Sequence, residues 1–384
     1  MPSEPPAATD ADDLGDHPDP PSGLAAFGWD DGWAASYDEA LAAVGHPDPA
    51  ALVPGRLVAV DRGEVDVAVE DGAVRAGSSL VDDPDPERGP CTGDWAILRP
   101  ATDVAPAELV ALLPRRTAIV RATAGRSSFG QVLAANVDTV AVVVSLEDDE
   151  TDLGRVERFV AVAWESGATP VVVLTKADRV ADREVLDERV TEATEVVPGV
   201  DVVTTSVPDG EGIAVARAVL TGTIALIGAS GAGKSTLANA LLGDERLATG
   251  AVRAVDGKGR HTTVRRELIA LPGGGALIDT PGLRSVGLWD AADGIALVFS
   301  DIDELAEGCR FRDCAHGQEP GCAVRAAVEA GELAARRLES FQKLQRENEW
   351  EAARADARLE AERKRDERSA SAALRRHYRD RGRR

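Results

Sequence analysis

One segment near the middle of the 384-residue chain sets the class of the fold: Thr223-Ile-Ala-Leu-Ile-Gly228-Ala-Ser-Gly-Ala-Gly233-Lys234-Ser235-Thr236-Leu237. Its first residues are apolar and β-branched, which predicts a buried strand, and the residues after Thr236 have the apolar spacing of a helix. Between them lies G-x-x-x-x-G-K-S, the pattern of a phosphate-binding loop. Glycines in such a loop let backbone N–H groups point at an anion beside a helix N-terminus. The segment therefore predicts a nucleoside triphosphate site.

The residue types in this loop assign roles in phosphate binding. Lys234 is expected to bridge the β- and γ-phosphates and to act in catalysis, and the Ser235 hydroxyl is expected to ligate Mg²⁺. The loop is expected to bind the phosphates through Gly228, Ser230, Gly231, Ala232, Gly233, Lys234, Ser235 and Thr236. A glycine-rich turn that matches by chance is disfavoured, because a strand precedes the loop and a helix follows it.

Alternating strands and helices surround this loop. Buried, parallel-type strands are predicted over 137–145, 170–175, 201–206, 223–227 and 275–279, with a helix over 153–165 between the first two. Alternation of this kind predicts an α/β domain with a doubly wound parallel sheet, which we place at 115–300.

A base-recognition motif follows the second of these strands, at the sheet edge where ligands bind in open α/β folds. The residues Thr175-Lys176-Ala-Asp178 are a variant of N/T-K-x-D, with Thr in place of the more familiar Asn. Asp178 would accept hydrogen bonds from N1–H and the exocyclic amine of guanine, a donor pair that adenine lacks. The stem of Lys176 would pack along the base, and Ser206 is expected in a second base-contacting loop. The ligand predicted is GTP or GDP rather than ATP.

Two further motifs follow the phosphate loop. The stretch Gly257-Lys-Gly-Arg-His261-Thr262-Thr263 is glycine-rich and ends in Thr, as a switch loop requires. Thr263, in preference to Thr262, is expected to complete the Mg²⁺ shell and to contribute to catalysis. Asp279-Thr-Pro-Gly282 is a D-x-x-G motif, in which Asp279 would hold Mg²⁺ through water and the Gly282 N–H would contact the γ-phosphate.

The motifs depart from the usual GTPase pattern in two ways. Leu283 stands where Ras-like enzymes place the Gln that orients the attacking water, and an apolar side chain cannot do so. His261 is the candidate replacement by chemical type, and a surface or RNA-facing histidine is the alternative. The base motif also precedes the phosphate loop, so the domain is predicted to be circularly permuted.

The segment 51–114 has a different texture, with about five short strands separated by turn residues. This predicts a small β-barrel, of which the oligonucleotide-binding (OB) fold is the commonest five-stranded type, and a structural SH3-like barrel is the alternative. Residues 1–50 contain no Lys or Arg and are predicted to be an acidic, partly disordered extension.

Three cysteines and a histidine crowd into 309–322. A Cys₃His set forms a closed tetrahedral site, which predicts one structural zinc ion. The four ligands would be Cys309, Cys314, His316 and Cys322. The region 301–384 is thus predicted to be a zinc-binding, α-helical domain with a basic tail.

Charge and hydropathy limit the kinds of partner that the protein can bind. The net charge of −23 argues against holding nucleic acid by bulk electrostatics, but residues 361–384 carry ten Lys and Arg against four Asp and Glu. That tail suggests a local contact with an anionic partner such as RNA, and a solvated helical tail is the alternative. No apolar run approaches the ~18 residues of a membrane span, so a cytoplasmic protein without membrane contact is expected.

Taken together, the motifs resemble the ribosome-small-subunit-dependent GTPase A family (RsgA, also called YjeQ), over roughly 52–345. The resemblance rests on the permuted motif order and on Gly228–Thr236, Gly259-Arg-His-Thr-Thr263, Asp279-Thr-Pro-Gly-Leu283-Arg, Cys309…Cys314-Ala-His316…Pro320-Gly-Cys322, Leu113-Pro-Arg-Arg and Gln131-Val-Leu-Ala-Ala-Asn136-Val-Asp.

The resemblance implies a GTP hydrolase that assists late maturation of the small (30S) ribosomal subunit. Such factors bind 16S rRNA through the barrel and the zinc domain, and their slow hydrolysis is stimulated by that subunit and coupled to release. We expect a monomer. Two alternatives remain open at this point: a GTP-regulated, RNA-binding zinc protein without ribosome-coupled turnover, and an ATP-using P-loop enzyme.

Overall fold

The computed structural model describes residues 23–122, 130–148, 151–247, 266–279 and 291–353. A β-barrel, a doubly wound α/β unit and a group of C-terminal helices follow one another along the chain. None of the described helices is both long and apolar enough to cross a bilayer.

The barrel consists of β1 (Val53–Val60), β2 (Glu64–Val69), β3 (Gly72–Gly77), β4 (Trp95–Arg99) and β5 (Glu108–Leu112). It closes in the order β1-β2-β3-β5-β4, with β3 and β5 parallel and the other pairs antiparallel. The last two strands have thus exchanged places relative to a simple meander, which gives a five-stranded Greek-key barrel. The OB-like fold is confirmed.

The barrel is covered at one side by helix α1 (Asp31–Val44), to which the sequence analysis assigned no role. Asp30 caps this helix by accepting a hydrogen bond from the Trp33 N–H at 2.7 Å. The ring of Trp95, on β4, lies 4.8 Å from that of Trp29 and 5.8 Å from that of Trp33 between centroids. Burial of these large rings stabilises the helix against the barrel.

The α/β unit starts with a hairpin, β6 (Ala118–Ala122) and β7 (Gly130–Ala135). A six-stranded sheet in the order β10-β9-β8-β11-β13-β12 follows. Its strands are β8 (Thr139–Ser145), β9 (Thr169–Thr175), β10 (Asp201–Thr205), β11 (Thr223–Ile227), β12 (Glu267–Ala270) and β13 (Ala276–Asp279). All neighbours are parallel except β12 and β13, so the predicted strands and the doubly wound fold are confirmed.

Helices cover both faces of this sheet. The two apolar clusters on its faces are formed with α2 (Leu153–Glu165), α3 (Arg183–Glu195), α4 (Ile213–Val219) and α5 (Lys234–Leu242). Residues of α2 and α3 pack in one cluster, which continues into the C-terminal helices, and residues of α4 and α5 pack in the other. The C-terminal helices thus share a core with the sheet.

The C-terminal helices are α6 (Ala292–Val298), α7 (Ser300–Ala306), α8 (Ala323–Ala330) and α9, described over 335–353. The sequence predicted a helical region here. This helical region is interrupted at Gly331. Gly331 has a left-handed φ of 77°, which ends α8. Val324, Leu333, Phe341 and Leu344 belong to the same cluster as Cys322, so the helices pack against the cysteine-rich segment.

Two arginines, Arg56, which is buried, and Arg115, which is partly buried, connect the barrel to the start of the α/β unit. Arg56, on β1, donates to the carbonyl oxygens of Gly93 at 3.3 Å and Asn136 at 3.1 Å, and burial lowers the pKa of its guanidinium to about 10. Arg115 makes two 2.7 Å bonds to the buried carboxylate of Asp94. Bidentate pairs of this kind fix relative orientation as well as contributing energy.

Candidate nucleotide site and metal centre

The predicted motif residues come together because the parallel strands end at one edge of the sheet. The phosphate-loop strand β11 lies between β8 and β13, and β9 and β10 follow beyond β8. Thr175 ends β9, Asp279 ends β13, and Ser206 and Gly228 directly follow β10 and β11. This is the edge at which open α/β sheets bind ligands.

The phosphate loop, 228–233, requires its glycines. Gly228, Gly231 and Gly233 have φ values of 149°, 82° and 90°, and a Cβ at Gly228 would stand 2.2 Å from the Val143 carbonyl oxygen. Helix α5 begins at Lys234 directly after Gly233, which has no side chain to cap it. The first-turn N–H groups are therefore available to an anion, and Ser235 and Thr236 lie in that turn.

A hydrogen bond links the loop to the base-recognition strand. The Thr175 Oγ1 lies 2.6 Å from the Ala232 carbonyl oxygen and 3.2 Å from that of Val144, and Thr175 is buried. Lys234 Nζ donates to the carbonyl oxygens of Gly228 at 2.8 Å and Ala229 at 2.5 Å. Thr in place of Asn thus keeps a polar contact between the two motifs.

The base motif lines a cleft of about 200 Å³ between β9, β10 and α5. Lys176 has a left-handed φ of 61°, which turns the chain at the end of β9. Its ammonium group forms an ion pair with Glu147, after β8, and the hydrogen bond from Lys176 holds the pKa of that carboxyl below its ordinary value. Glu147 therefore fixes the Lys176 side chain at the mouth of the site.

The Asp178 carboxylate lies in the same cleft. Its Oδ1 is 3.1 Å from the Ser206 hydroxyl, and its Oδ2 is 3.4 Å from Arg179 Nε. The Ser206 hydroxyl also lies 2.8 Å from Asp209 Oδ2. Ser206 is buried, so both carboxylates meet at a group shielded from solvent.

The switch loop, and the D-x-x-G motif beyond its first residue, lie outside the described residues. This applies to the predicted sites His261, Thr263 and Gly282, and also to Thr262 and Leu283. Their predicted roles remain predictions. Asp279 is the last described residue of its motif, at the end of β13.

The four predicted zinc ligands form one cluster, with Cys309, Cys314, His316 and Cys322 offering ligand atoms within 4.8 Å of one another. His316 Nδ1 lies 3.5 Å from Cys322 Sγ and 3.7 Å from Cys309 Sγ, and these two sulfurs are 3.9 Å apart. A tetrahedral zinc ion with bonds of about 2.0–2.3 Å places its ligand atoms about 3.3–3.8 Å apart. The donor set and its spacing fit zinc.

The surroundings of the cluster orient its ligands. The backbone N–H of Ala323 lies 3.4 Å from Cys309 Sγ. Burial acts to raise the pKa of Cys309, but hydrogen bonds from backbone N–H groups of α8 and from the neighbouring thiols of Cys322 and Cys314 together hold that pKa below its ordinary value, which favours the metal-binding thiolate. Gln342, on α9, donates to the His316 carbonyl oxygen at 2.8 Å, so α9 contacts the cysteine-rich segment 309–322.

The structure also reveals polar residues at the site that no sequence motif indicates. Glu147 forms an ion pair with Lys176 of the base motif, and Asp209 contacts Ser206 in the second predicted base-contacting loop. Glu157, on α2, is fully buried. Glu157 accepts hydrogen bonds from Arg337 at 3.0 Å and from Ser340 at 2.5 Å, both on α9. Separations of about 180 positions along the chain hide such pairs from sequence inspection.

Comparison with known proteins places this geometry in a family. The sequence model of the RsgA GTPase family matches residues 112–289. The Small ribosomal subunit biogenesis GTPase RsgA of Streptomyces coelicolor is 55% identical over 342 residues, covering 89% of this chain and 91% of the relative. The chain belongs to the RsgA GTPase family. It is a GTP hydrolase, as the motifs predicted.

Other matches agree with this assignment. The protein of the same name from Opitutus terrae is 42% identical over 88% of the chain and 94% of that relative. The crystal structure of YjeQ from Thermotoga maritima has 26% identity and a TM-score of 0.56, covering 76% of this chain and 97% of that one. The structure of YloQ, a circularly permuted GTPase, has 22% identity and a TM-score of 0.57, covering 77% and 94%.

The circular permutation predicted from motif order is confirmed by these structures. The ABC transporter family model also matches, over 220–368, a range that contains the same phosphate loop. The RsgA family relatives instead match along nearly the whole chain.

Proposed function

We propose that this member of the RsgA family binds the small (30S) ribosomal subunit, assists its late maturation, and couples hydrolysis of GTP to GDP and phosphate to its own release. The observation that carries the proposal is a relative of 55% identity, over 89% of the chain, named Small ribosomal subunit biogenesis GTPase. The phosphate loop and the base motif, which are linked by a hydrogen bond and line one cleft, supply the residues that would bind GTP. A cytoplasmic monomer would suit this partner.

The nucleotide is held by residues at the sheet edge. The Asp178 carboxylate accepts from guanine, the Lys176 stem packs on the base, and Ser206 lies beside them. The phosphates rest on the N–H groups of 228–236, with Lys234 at the β- and γ-phosphates. Ser235 and Thr263 would ligate Mg²⁺, and Asp279 would hold it through water. When bound, Mg²⁺ neutralises charge on the β- and γ-phosphates.

Hydrolysis requires a group that orients water. Leu283 cannot do this, so we assign the role to His261, the imidazole in the switch loop. A side chain on a switch loop reaches its place only when that loop is ordered. A partner that orders the loop would therefore accelerate hydrolysis, which is consistent with a slow enzyme that the small subunit stimulates.

The zinc knuckle, 309–322, is the surface that we assign to 16S rRNA. Phe311 is 42% exposed, unusual for a large apolar side chain, and the Arg310 guanidinium lies 5.5 Å above its ring. Arg312 is exposed beside them. An exposed ring flanked by arginines suits stacking on an unpaired base with phosphate contacts on either side. The OB-like barrel would supply a second contact.

Replacing a zinc ligand tests this assignment. The Cys314→Ser variant should lose its bound zinc, because a hydroxyl is a poor substitute for a thiolate ligand, and should sediment with purified small subunits much less than the unmodified chain. GDP binding should persist, since the nucleotide site lies elsewhere. Zinc content is measured by atomic absorption, and binding by co-sedimentation with a non-hydrolysable GTP analogue.

Asp313→Asn is the matched control for this experiment, since Asp313 is an exposed neighbour that is not a ligand. It should keep both zinc and subunit binding. Equal sedimentation of the Cys314→Ser and Asp313→Asn variants with small subunits would contradict the assignment of the knuckle.

A further inference from the structure

We propose that Asp209 is a positioning residue of the guanine site. Asp209 competes with Asp178 for the single proton of the Ser206 hydroxyl and thereby weakens nucleotide binding. The inference rests on the proposed role of Asp178 as the guanine acceptor. It adds a residue outside the base motif that sets how long the nucleotide stays bound.

The distances place the Ser206 hydroxyl between two carboxylates. Ser206 Oγ lies 2.8 Å from Asp209 Oδ2 and 3.1 Å from Asp178 Oδ1. Ser206 is 1% exposed, so water does not readily supply a second donor. The Asp209 N–H also lies 3.4 Å from Ser206 Oγ, which orients the hydroxyl oxygen toward its own turn.

The two contacts cannot both be full-strength hydrogen bonds at once. A serine hydroxyl has one proton to donate, and an ionised carboxylate can only accept. The shorter distance favours donation to Asp209. When the proton points there, Asp178 Oδ1 faces an oxygen lone pair. The guanidinium of Arg179, which is largely exposed, lies 3.4 Å from Asp178 Oδ2.

This arrangement affects guanine binding through the alignment of Asp178. A carboxylate that accepts two hydrogen bonds from a base must hold its plane, and a bond from a buried hydroxyl would restrain it. Asp209 withdraws that restraint. Removing the Asp209 carboxylate should return the proton to Asp178, align it, and slow release of the nucleotide.

The surrounding turn does not depend on the Asp209 side chain. Asp209 is exposed, and the turn is held by backbone hydrogen bonds from Gly210 N to Val207 O at 3.2 Å and from Ser206 N to Glu211 O at 3.0 Å. Asp209→Ala should therefore fold normally, and its effect can be assigned to the proton competition.

The test measures dissociation of a fluorescent GDP by stopped flow from the full-length chain. Asp209→Ala should slow dissociation by about fivefold, the size expected for the net contribution of one typical hydrogen bond. In a Ser206→Ala background the same substitution should have no effect, because the shared proton is gone. A purely electrostatic effect of removing one negative charge would persist in that background.

Two outcomes would overturn the inference: an Asp209→Ala rate equal to or faster than that of the unmodified chain, or equal slowing in the presence and absence of the Ser206 hydroxyl. Asp178→Asn separates this from failure of the guanine assignment. If Asp178→Asn leaves GDP affinity unchanged, Asp178 is not the acceptor and the proposed site is wrong. If it weakens GDP while Asp209→Ala does nothing, the competition alone is wrong.

Discussion

Replacing Lys234 by Ala is expected to lower kcat/KM for GTP by about a thousandfold or more. Lys234 opens helix α5 and directs its ammonium group over the phosphate loop, 2.8 Å from the Gly228 carbonyl oxygen. A cation fixed there stabilises charge that develops between the β- and γ-phosphates, and alanine cannot replace it. The backbone N–H groups of the loop remain, so some affinity for GDP should survive.

The measurement is steady-state phosphate release over a range of GTP concentrations, which gives kcat/KM, with GDP binding followed in parallel. Lys343→Ala is the matched control, because it removes the same charge from an exposed position on α9. It should hydrolyse GTP at the unmodified rate. Turnover by Lys234→Ala within about tenfold of the unmodified rate would contradict the assignment of the phosphate loop.

Replacing Glu157 by Ala is expected to destabilise the fold by about 3–5 kcal/mol, the usual cost of removing one partner from a buried ion pair. Glu157 is 0% and Arg337 5% exposed. Arg337 also binds Asp301, on α7, at 2.6 and 2.7 Å and donates to the Val298 carbonyl oxygen at 2.8 Å. The cluster thus joins α2 to the helices that carry the zinc knuckle.

Thermal unfolding followed by circular dichroism measures this effect. The midpoint should fall by about 10 °C in Glu157→Ala, since each kcal/mol corresponds to roughly 2–4 °C in a domain of this size. Glu188→Ala is the control, because Glu188 is exposed on α3 and surface substitutions change stability by about 0.5 kcal/mol at most. Equal midpoints for the two variants would show that the buried pair contributes little.

Much of the α/β unit could be predicted from the sequence, for a physical reason. Parallel strands buried on both faces are continuous apolar runs, so β11 was predicted at its observed bounds, Thr223–Ile227. Helix α2 was also predicted at its bounds, Leu153–Glu165, where Asp152 caps its N-terminus. The motif residues follow these elements directly, so Thr175, Ser206 and Gly228 lie at one sheet edge as expected.

Elements stabilised by distant contacts were harder to predict. Strand β12 has only four residues and exists through its antiparallel pairing with β13. Helix α1 is bounded by residues typical of helix ends, with Asp30 as N-cap and Gly45 as C-cap. Its role, however, depends on packing against Trp95 on the barrel. The break at Gly331 could have been read from the glycine itself.

The polar networks around the site lay beyond sequence reasoning. Glu147 and Asp209 have no motif of their own, and each acquires its role from a neighbour across the sheet edge or turn. Charged residues are usually exposed, so the sequence gives no reason to expect that Glu157 is buried. Its burial depends on the ion pair with Arg337, which only the fold brings close to it.

The central claim is that GTP hydrolysis responds to the small ribosomal subunit, and phosphate release measured with and without purified subunits tests it most directly. Hydrolysis should be slow with the protein alone, rise strongly with small subunits, and not rise with large subunits. Lys234→Ala should show no stimulation, which assigns the activity to this site. A rate that small subunits leave unchanged, or that large subunits raise equally, would contradict the proposed coupling.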